Sequence, residues 1–411
     1  MLRLGLGPEY RKLWTASTIS NLGDGITLVA GPLLAASLTR DPVLVAGLTF
    51  AQQLPWLLFS LLSGALVDRL DRRLLMASVD AFRTGVIGIL GLAVLTGWAS
   101  LPLMYGVFFL LGTAETLFAN ASLSIMPSMV QKEQLEKANG QMFAAELVTN
   151  QFAGGPVGGA LFAVAAAFPF LIDAGTFAAS SALILALRGR FRVVRPDGVQ
   201  KAGILVEIAE GIGWLARHRL LLALAVMLGA GNLTFSATFS VMVLFAQDTL
   251  GLGSFGYGVL MTAGGVGGFF GSLLAGRVGG WIGTGRALFL VMLIQGPMFA
   301  GIALSGNPVV VALIWAVGGF AAFAWNVLTF ALRQTLIPDR LLGRVTSVYR
   351  LAGVGSGAFG ALIGGLLAKH FGLSAPFWFS AAVMILAALA FLPFVNNRTV
   401  SEARRNANSR A

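Results

Sequence analysis

The chain has 411 residues, of which 57% are hydrophobic and only 11% are charged, with a mean hydropathy of +0.83. Soluble domains carry about 25% charged residues and cannot hide this much apolar surface. A soluble enzyme, a nucleic-acid-binding protein and a disordered chain are therefore excluded. The net charge of +11 does not indicate nucleic acid as a partner, because the basic residues are spread over short loops between apolar runs.

Twelve apolar runs are long enough to cross a bilayer as helices, since about 20 residues span the hydrocarbon core. The predicted fold is an all-α membrane protein with twelve transmembrane helices. The first run is too long for the apolar part of a signal peptide and carries polar residues, so no cleaved leader is predicted. The spans are 13–38, 43–67, 74–97, 101–126, 137–164, 168–187, 219–246, 255–281, 286–304, 308–332, 345–368 and 374–395.

The Lys and Arg residues predict the orientation of these spans. With the N-terminus in the cytoplasm, 25 of the 28 basic residues fall in cytoplasmic gaps or tails, and only Arg40, Arg83 and Lys369 do not. Basic loops remain cytoplasmic in membrane proteins. Both termini are therefore predicted to be cytoplasmic.

The longest polar stretch divides the spans six from six. We predict an N-terminal six-helix bundle over 1–187, a cytoplasmic linker over 188–218, a C-terminal six-helix bundle over 219–395 and a cytoplasmic tail over 396–411. Within the linker, the apolar residues Ile204, Ile208, Ile212 and Leu215 have helical spacing. They predict an amphipathic helix on the membrane face, or a plain connecting helix with no regulatory role.

The two halves resemble each other at nearly constant offsets. Residues 156–161 match 362–367 at an offset of 206, and Asn21-Leu22 matches Asn232-Leu233 at an offset of 211. Six spans return the chain to its starting side, so the repeats are parallel. Two such repeats around an axis along the membrane normal are typical of a transporter with a central site and alternating access.

The gap after span two reads Gly64-Ala65-Leu66-Val67-Asp68-Arg69-Leu70-Asp71-Arg72-Arg73. This order resembles the loop signature G-x-L-x-D-R-x-G-R-R of the major facilitator superfamily, and the resemblance extends to the twelve spans and the central loop. It implies that Asp68 caps a helix N-terminus in the other half and that the arginines brace a cytoplasmic gate. The implied gate residues are Gly64, Asp68, Arg69, Arg72 and Arg73. Asp71 departs from the signature, which has glycine there.

Span five contains Gly154-Gly155-Pro156-Val157-Gly158-Gly159, which is similar to a glycine-proline motif of the superfamily's exporters, although the upstream glycines are missing. Gly155, Pro156 and Gly159 are predicted either to kink the helix or simply to allow tight packing. Further phrases, such as Gly343-Arg344-Val345, resemble the bacterial branch of macrolide, multidrug and enterobactin-type exporters. This branch implies a monomer in the bacterial inner (plasma) membrane.

Ionisable residues at bilayer depth are costly, by roughly 2.5–3.5 kcal/mol, and are functional candidates. Asp24 and Glu146 lie near the midplane, each with an asparagine on its helical face, and Glu115 lies within span four. Each is predicted either to carry protons or to be a buried, hydrogen-bonded structural acid. The predicted proton-coupling and cavity residues are Asp24, Glu146, Glu115, Asn21, Asn150, Asn232, Asn326 and Trp325.

Three further charged residues lie within spans. Asp80 and Arg83, spaced i,i+3 near the cytoplasmic end of span three, are grouped with the gate as a structural or gating pair, with direct substrate contact as the alternative. Asp173 begins span six and is predicted to be an outer-gate or helix-terminus group. The second half offers no acid within its spans.

An enzyme is not predicted, because His218 and His370 are the only histidines and both lie at span ends, so no serine–histidine or histidine–metal site can form at depth. Without cysteine there is no thiolate site either, and no cofactor or metal is expected. The sequence predicts a secondary transporter that exports lipophilic small molecules, cationic or zwitterionic ones above all, by proton antiport. The alternative is a siderophore or metabolite exporter, or a facilitator without proton coupling.

Overall fold

The computed structural model describes residues 6–67, 69–189, 191 and 204–408, and all regular structure within these ranges is helical. The first half contains α1 (Pro8–Leu38), α2 (Pro42–Val67), α3 (Arg72–Leu95), α4 (Leu101–Ile125), α5 (Leu135–Glu146), α6 (Gly154–Val164) and α7 (Phe168–Leu185). After the linker helix α8 (Ile204–Ala216), the second half contains α9 (Arg219–Phe239), α10 (Met242–Leu244), α11 (Ser254–Ile282), α12 (Thr284–Leu304), α13 (Pro308–Leu336), α14 (Asp339–Phe371), α15 (Ala375–Phe391) and α16 (Asn397–Asn408).

The helices coincide with the predicted spans, and the predicted fold class is confirmed. Within the described ranges, ten helices are long and apolar enough to cross a membrane. The fifth span is divided between α5 and α6, and the twelfth is the 17-residue helix α15. The linker helix α8 lies where the amphipathic pattern predicts it, while residues 192–203 of the predicted linker lie outside the described residues.

The fifth span is not a regular α-helix. A π-helical turn, Leu147–Ala153, joins α5 to α6 and begins directly after Glu146. Pro156 follows in the first turn of α6 and has no N–H to donate to the carbonyl of Phe152, four residues earlier. The hydroxyl of Thr262 lies 3.4 Å from that carbonyl and 3.1 Å from the carbonyl of Gly258, so its one proton is shared between the two.

The chain divides into two compact units that do not follow the predicted boundaries strictly. Unit 1 comprises Met1–Arg40, Ala51–Gly198 and Gly251–Thr262, and unit 2 comprises Asp41–Phe50, Val199–Leu250 and Ala263–Ala411. The start of α11 therefore belongs with first-half helices, and the start of α2 belongs with second-half helices. Glycines account for this exchange, because a Cβ at Gly155 would lie 2.7 Å from the carbonyl oxygen of Gly258, and a Cβ at Gly365 would lie 3.0 Å from that of Pro42.

The same helix contact recurs in both units. A Cβ at Gly158 would lie 2.6 Å from the carbonyl oxygen of Ile26, and a Cβ at Gly364 would lie 2.0 Å from that of Ala237. Gly158 and Gly364 are 206 residues apart, and Ile26 and Ala237 are 211 apart, which are the two offsets in the sequence. The internal repeat is therefore a repeat of packing, with α6 on α1 in unit 1 and α14 on α9 in unit 2.

The tail contains a helix that the sequence analysis does not predict. α16 is mostly polar, but Val400 on its inner face is buried with Val395 and α9, α12, α13 and α14 residues in the core of unit 2. Asn397 at its start accepts a hydrogen bond from the backbone N–H of Arg286 at 3.0 Å and donates one to the carbonyl of Ile282 at 2.9 Å. These bonds fix α16 against the connection between α11 and α12.

Candidate functional site

Arg83 is the centre of a polar network in unit 1, in which Arg83 and Asp80 are buried and Glu115 is partly exposed. Its side chain is almost wholly buried on α3, where it lies 3.5 Å from the Asp80 carboxylate and contacts the Glu115 carboxylate of α4. The second oxygen of Asp80 accepts a hydrogen bond of 2.6 Å from Ser180 of α7. The sequence analysis grouped Asp80 with the gate and Glu115 with the cavity. In the structure one guanidinium joins these two residues.

Aromatic rings complete the surroundings of Arg83. Its guanidinium carbon lies 5.0 Å from the ring centre of Phe118 and 5.2 Å from that of Phe177. Cation–π contacts with these rings favour the charged guanidinium in a site with little water. Neither phenylalanine was distinguishable in the sequence from the 30 present. The spacing of Phe118, one turn beyond Glu115 on α4, is the one signal that places it near the cluster.

Asp173 is a buried member of the same region and not a helix-terminus group. It is the sixth residue of α7, and its side chain is 1% exposed. Thr27 of α1 donates to one carboxylate oxygen at 2.5 Å, and Thr176 donates to the other at 3.0 Å. Counting residues from the start of span six gave no information on which helix α7 faces, and the outer-gate alternative stays a prediction.

Gly23 makes the approach of Asp173 to α1 possible. A Cβ at this position would lie 2.1 Å from both a carboxylate oxygen of Asp173 and the hydroxyl of Thr176. The next residue, Asp24, lies within electrostatic reach of Arg83, Asp173 and the other acids of the network. Within the described part of unit 1, the guanidinium of Arg83 therefore contacts the carboxyl groups of Asp80 and Glu115, and those of Asp24 and Asp173 lie within its electrostatic reach.

The remaining predicted acid, Glu146, lies at the edge of this network. It interacts electrostatically with Glu115, and its side chain is exposed where α5 meets the π-helical turn. Asn150 lies within that turn, where its backbone packs on Gly25. Asn21 is half-buried on α1. The structure thus gathers Asp24 and Glu115 near Arg83, whereas Glu146 interacts with Glu115 alone.

The two arginines that begin α3 contact the ends of two other helices. Arg72 donates to the carbonyl of Ser124 at 2.6 Å, in the last turn of α4, and Arg73 donates to the carbonyl of Leu187 at 2.7 Å, just after α7. Cations at helix C-termini neutralise the negative end of the helix dipole. Both arginines therefore brace the bundle at one end.

The other residues of the gap after span two have different surroundings. Asp71, which departs from the family signature, accepts a hydrogen bond from the backbone N–H of Leu74 at 3.2 Å and so caps α3. Gly64 has no neighbouring atom within 4 Å of an ideal Cβ, and Arg69 is exposed. Asp68, the predicted lock, lies outside the described residues.

The predicted second-half residues do not form a comparable network. Asn232 and Asn326 each donate to a carbonyl four residues earlier on their own helix, at 2.9 Å and 3.0 Å. Asn326 is exposed, whereas Trp325 is buried in the core of unit 2. Trp325 packs against neighbouring helices there, and its role in a cavity stays a prediction.

The glycine-proline segment of span five is a packing site. Besides the contact of Gly155 with Gly258, a Cβ at Gly159 would lie 2.4 Å from the carbonyl oxygen of Ser254, at the start of α11. Because Pro156 has no N–H, the carbonyl of Phe152 is left available to the hydroxyl of Thr262 on α11. Gly155, Pro156 and Gly159 thus allow α6 and α11 to approach within unit 1.

An ion pair accounts for one exception to the charge asymmetry. Lys369, near the end of α14, donates to the Asp41 carboxylate at 2.6 Å, directly before α2, within unit 2. The other oxygen of Asp41 accepts from the backbone N–H of Val43 at 2.9 Å. The Lys369 hydrogen bond lowers the pKa of the Asp41 carboxyl.

Lys369→Glu is expected to lower the melting temperature of the purified protein more than Lys369→Gln, because it sets two carboxylates side by side. The parent pair is partly exposed, so its own stabilisation is about 0.2–1 kcal/mol. With the Asp41 pKa lowered in the folded state, that stabilisation is complete above the usual carboxyl pKa of about 3.9 and lost as the pH falls through the lowered value. The difference between the parent and Lys369→Gln should therefore shrink in melts below about pH 4. An equal difference at pH 7 and pH 3 would contradict it.

Comparison with known proteins identifies the family. The sequence profile of the transmembrane secretion effectors, a family of major facilitator transporters, matches residues 7–410. The chain belongs to this family. It is accordingly an integral, multi-pass membrane protein and a transporter, not an enzyme.

Relatives of this family member include exporters. The MFS-type transporter y4rN of Sinorhizobium fredii is 27% identical over 94% of each chain. The multidrug efflux pump Tap of Mycolicibacterium fortuitum is 25% identical over 94% of this chain and 96% of its own. The enterobactin exporter EntS of Shigella boydii is 25% identical over 95% and 93%. Among solved structures, a mutant of the nucleoside transporter NupG superimposes with a TM-score of 0.79 at 13% identity, over 94% of this chain and 100% of that one, which shows a shared fold.

Proposed function

We propose that this protein exports lipophilic small molecules, cationic or zwitterionic ones above all, by antiport with protons and by alternating access. The observation that carries the proposal is the cluster around Arg83, whose guanidinium contacts Asp80 and Glu115 and lies within electrostatic reach of Asp24 and Asp173. One cation neutralises one carboxylate, so the cluster contains more acid than its arginine balances. Surplus acid in a low-dielectric site is suited to exchanging a proton for a cationic substrate.

The proposed exchange uses the two acids that lie beside α1. Asp24 follows Gly23, against which Asp173 packs. Among the described residues of unit 1 neither acid forms an ion pair, whereas Asp80 and Glu115 each contact Arg83. Asp173 is held by two hydroxyl donors, which stabilise a carboxylate without cancelling its charge. In this proposal Asp24 and Asp173 carry the proton or the cationic substrate in turn, and Arg83 positions the other two acids.

In this proposal Arg72 and Arg73 hold the cytoplasmic ends of α4 and α7 while the site opens alternately to the two sides of the membrane. Their contacts with Ser124 and Leu187 support that role. The proposed setting is the bacterial inner membrane, with both termini in the cytoplasm and a monomeric protein. The partners in this proposal are the substrate, protons and the lipid bilayer, and neither a cofactor nor a nucleic acid takes part.

A second candidate is export of a siderophore or another metabolite without proton coupling. The similarity to the enterobactin exporter EntS over 95% of the chain favours it. In that case the carboxyl cluster would be a structural element of unit 1. Accumulation of substrate by the parent protein would then not require a pH gradient.

The test is gradient-driven uptake of a fluorescent lipophilic cation into inverted membrane vesicles. Asp24→Asn and Asp173→Asn should each abolish accumulation against the concentration gradient, while the variants still bind the dye. Glu146→Gln should reduce it less, because Glu146 lies at the edge of the network. A proton supplies about 2.3 kcal/mol per 100 mV of membrane potential, so loss of coupling is readily measured.

Glu136→Gln is the matched control, because Glu136 is an exposed acid in the first turn of α5. It should accumulate dye like the parent. If Asp24→Asn and Asp173→Asn also accumulate dye like the parent, neither residue carries the proton, and Glu115 and Glu146 become the candidates. If the parent itself needs no pH gradient, proton antiport is excluded and the second candidate stands.

A further inference from the structure

An open cavity of about 460 Å³ lies between the tail helix α16 and the start of α12, within unit 2. Its volume is within the range of small-molecule sites, about 300–1,000 Å³. One wall is formed by Gly283 and Thr284. The other is formed by Asn397, Val400, Ser401, Arg404 and Arg405.

The walls of this cavity are held in place by contacts that do not use its charged groups. Asn397 bonds to the backbone of Ile282 and Arg286, and Val400 is 3% exposed within the apolar core of unit 2. A Cβ at Gly285 would lie 2.2 Å from the backbone of Asn396, so α16 is pressed against the start of α12. These contacts preform the cavity, so its shape does not depend on a ligand.

The polar groups of the cavity favour an anion. Arg404 lies 3.4 Å from the hydroxyl of Thr284, and Arg405 is exposed beside it on α16. No acidic residue lines the cavity among the residues that the structure describes. Glu402, the acid of α16, is paired with Arg398 at 2.9 Å, so it does not neutralise the two lining arginines. Two guanidinium groups with two hydroxyls provide the donors that a phosphate group requires.

A tryptophan indicates the depth of the cavity. Trp281, two residues before Gly283, is 81% exposed. Exposed tryptophans in membrane proteins concentrate at the level of the lipid headgroups. The arginine-lined cavity therefore opens near the level at which lipid phosphates lie.

We propose that the cavity between α12 and α16 binds a phosphate group through Arg404 and Arg405, with the hydroxyls of Thr284 and Ser401 as further donors. The phosphate would belong to an anionic lipid headgroup or to a free phosphate anion. This site is independent of the proposed transport function, because it shares no residue with the carboxyl cluster.

The test measures thermal unfolding of the full-length protein in neutral detergent, titrated separately with phosphatidylglycerol, phosphatidylcholine and inorganic phosphate. We expect phosphatidylglycerol to raise the melting temperature of the parent more than phosphatidylcholine does. Arg404→Gln/Arg405→Gln should weaken the apparent affinity roughly tenfold or more, since each charge-assisted hydrogen bond contributes substantially. A matching response to inorganic phosphate would identify the free anion as sufficient, and a response to the lipid alone would assign the site to headgroups.

Arg277→Gln is the matched control, because Arg277 is an exposed arginine of α11 that does not line the cavity and is not the ion-pair partner of Glu402. It should respond to lipid like the parent. Equal responses of the parent and the double variant, or no response of the parent to either phosphatidylglycerol or phosphate, would overturn the proposal. Since Arg404 and Arg405 are exposed, the double variant should fold, and its melting temperature without added lipid verifies this. Dye uptake by the double variant is measured as well. Because the phosphate site shares no residue with the carboxyl cluster, this measurement tests the antiport proposal separately from phosphate binding.

Discussion

Arg83→Gln is expected to lower the free energy of unfolding by about 3–5 kcal/mol, the usual cost of removing one partner from a buried ion pair. The substitution removes the cation that Asp80 and Glu115 contact, while Asp80 remains fully buried. It also removes the cation–π contacts with Phe118 and Phe177. The measurement is a denaturant titration of the purified protein in mixed micelles, in which the loss of helix content reports unfolding.

A double-mutant cycle provides the control for this prediction. Asp80→Asn removes the acid that is left without its partner, so Asp80→Asn/Arg83→Gln should be more stable than the sum of the two single effects predicts. Strict additivity would show that the two side chains do not stabilise each other. An effect of Arg83→Gln within about 0.5 kcal/mol, typical of surface sites, would show that the cluster is not buried as described.

Gly23→Ala is expected to reduce gradient-driven transport by roughly ten- to a hundredfold while the protein still folds. The added Cβ would lie 2.1 Å from a carboxylate oxygen of Asp173 and from the hydroxyl of Thr176, so these side chains must turn away from α1. Losing the bond from Thr27 to that carboxylate removes a hydrogen bond to a charged group, about 1.5–3 kcal/mol. The measurement is dye uptake into inverted vesicles, normalised to the amount of folded protein.

Gly85→Ala is the matched control, because a Cβ at Gly85 on α3 has no neighbour within 4 Å. This variant should transport like the parent, with a slight gain in helix stability. If Gly23→Ala also transports like the parent, the position of the Asp173 carboxyl against α1 does not matter for transport. Comparison with Asp173→Asn then shows whether the carboxyl itself is needed.

The spans could be predicted from the sequence because the bilayer imposes a length and a composition on each of them. The repeat could be predicted as well, since Gly158 and Gly364 keep one offset and their partners Ile26 and Ala237 keep the other. Both features are periodic along the chain and need no knowledge of which helices are neighbours. The tail helix α16 was missed because its apolar face is little more than Val400.

The site was harder to predict, because depth along a helix can be counted and the direction of a side chain cannot. Counting placed Asp80 and Arg83 near one end of span three and gave no indication that Glu115 of α4 meets the same guanidinium. It also separated Asp173 from Asp24, although Gly23 and Thr27 bring the two helices together. The useful signal in the sequence was Gly23, a small residue directly before an intramembrane acid.

The length of the π-helical turn after Glu146 has a consequence for chains related to this one. Each residue of an α-helix turns the chain by about 100°, and a π-helical turn contains one residue more than an α-helical one. Deleting one residue from Leu147–Ala153 would let the fifth span run as a regular helix. Because α6 is fixed by glycine contacts on α1, the rotation would fall on α5 and would carry Glu146 to another face. A one-residue gap in an alignment at this segment would therefore mark a relative in which this acid faces different neighbours, even where every residue type is retained.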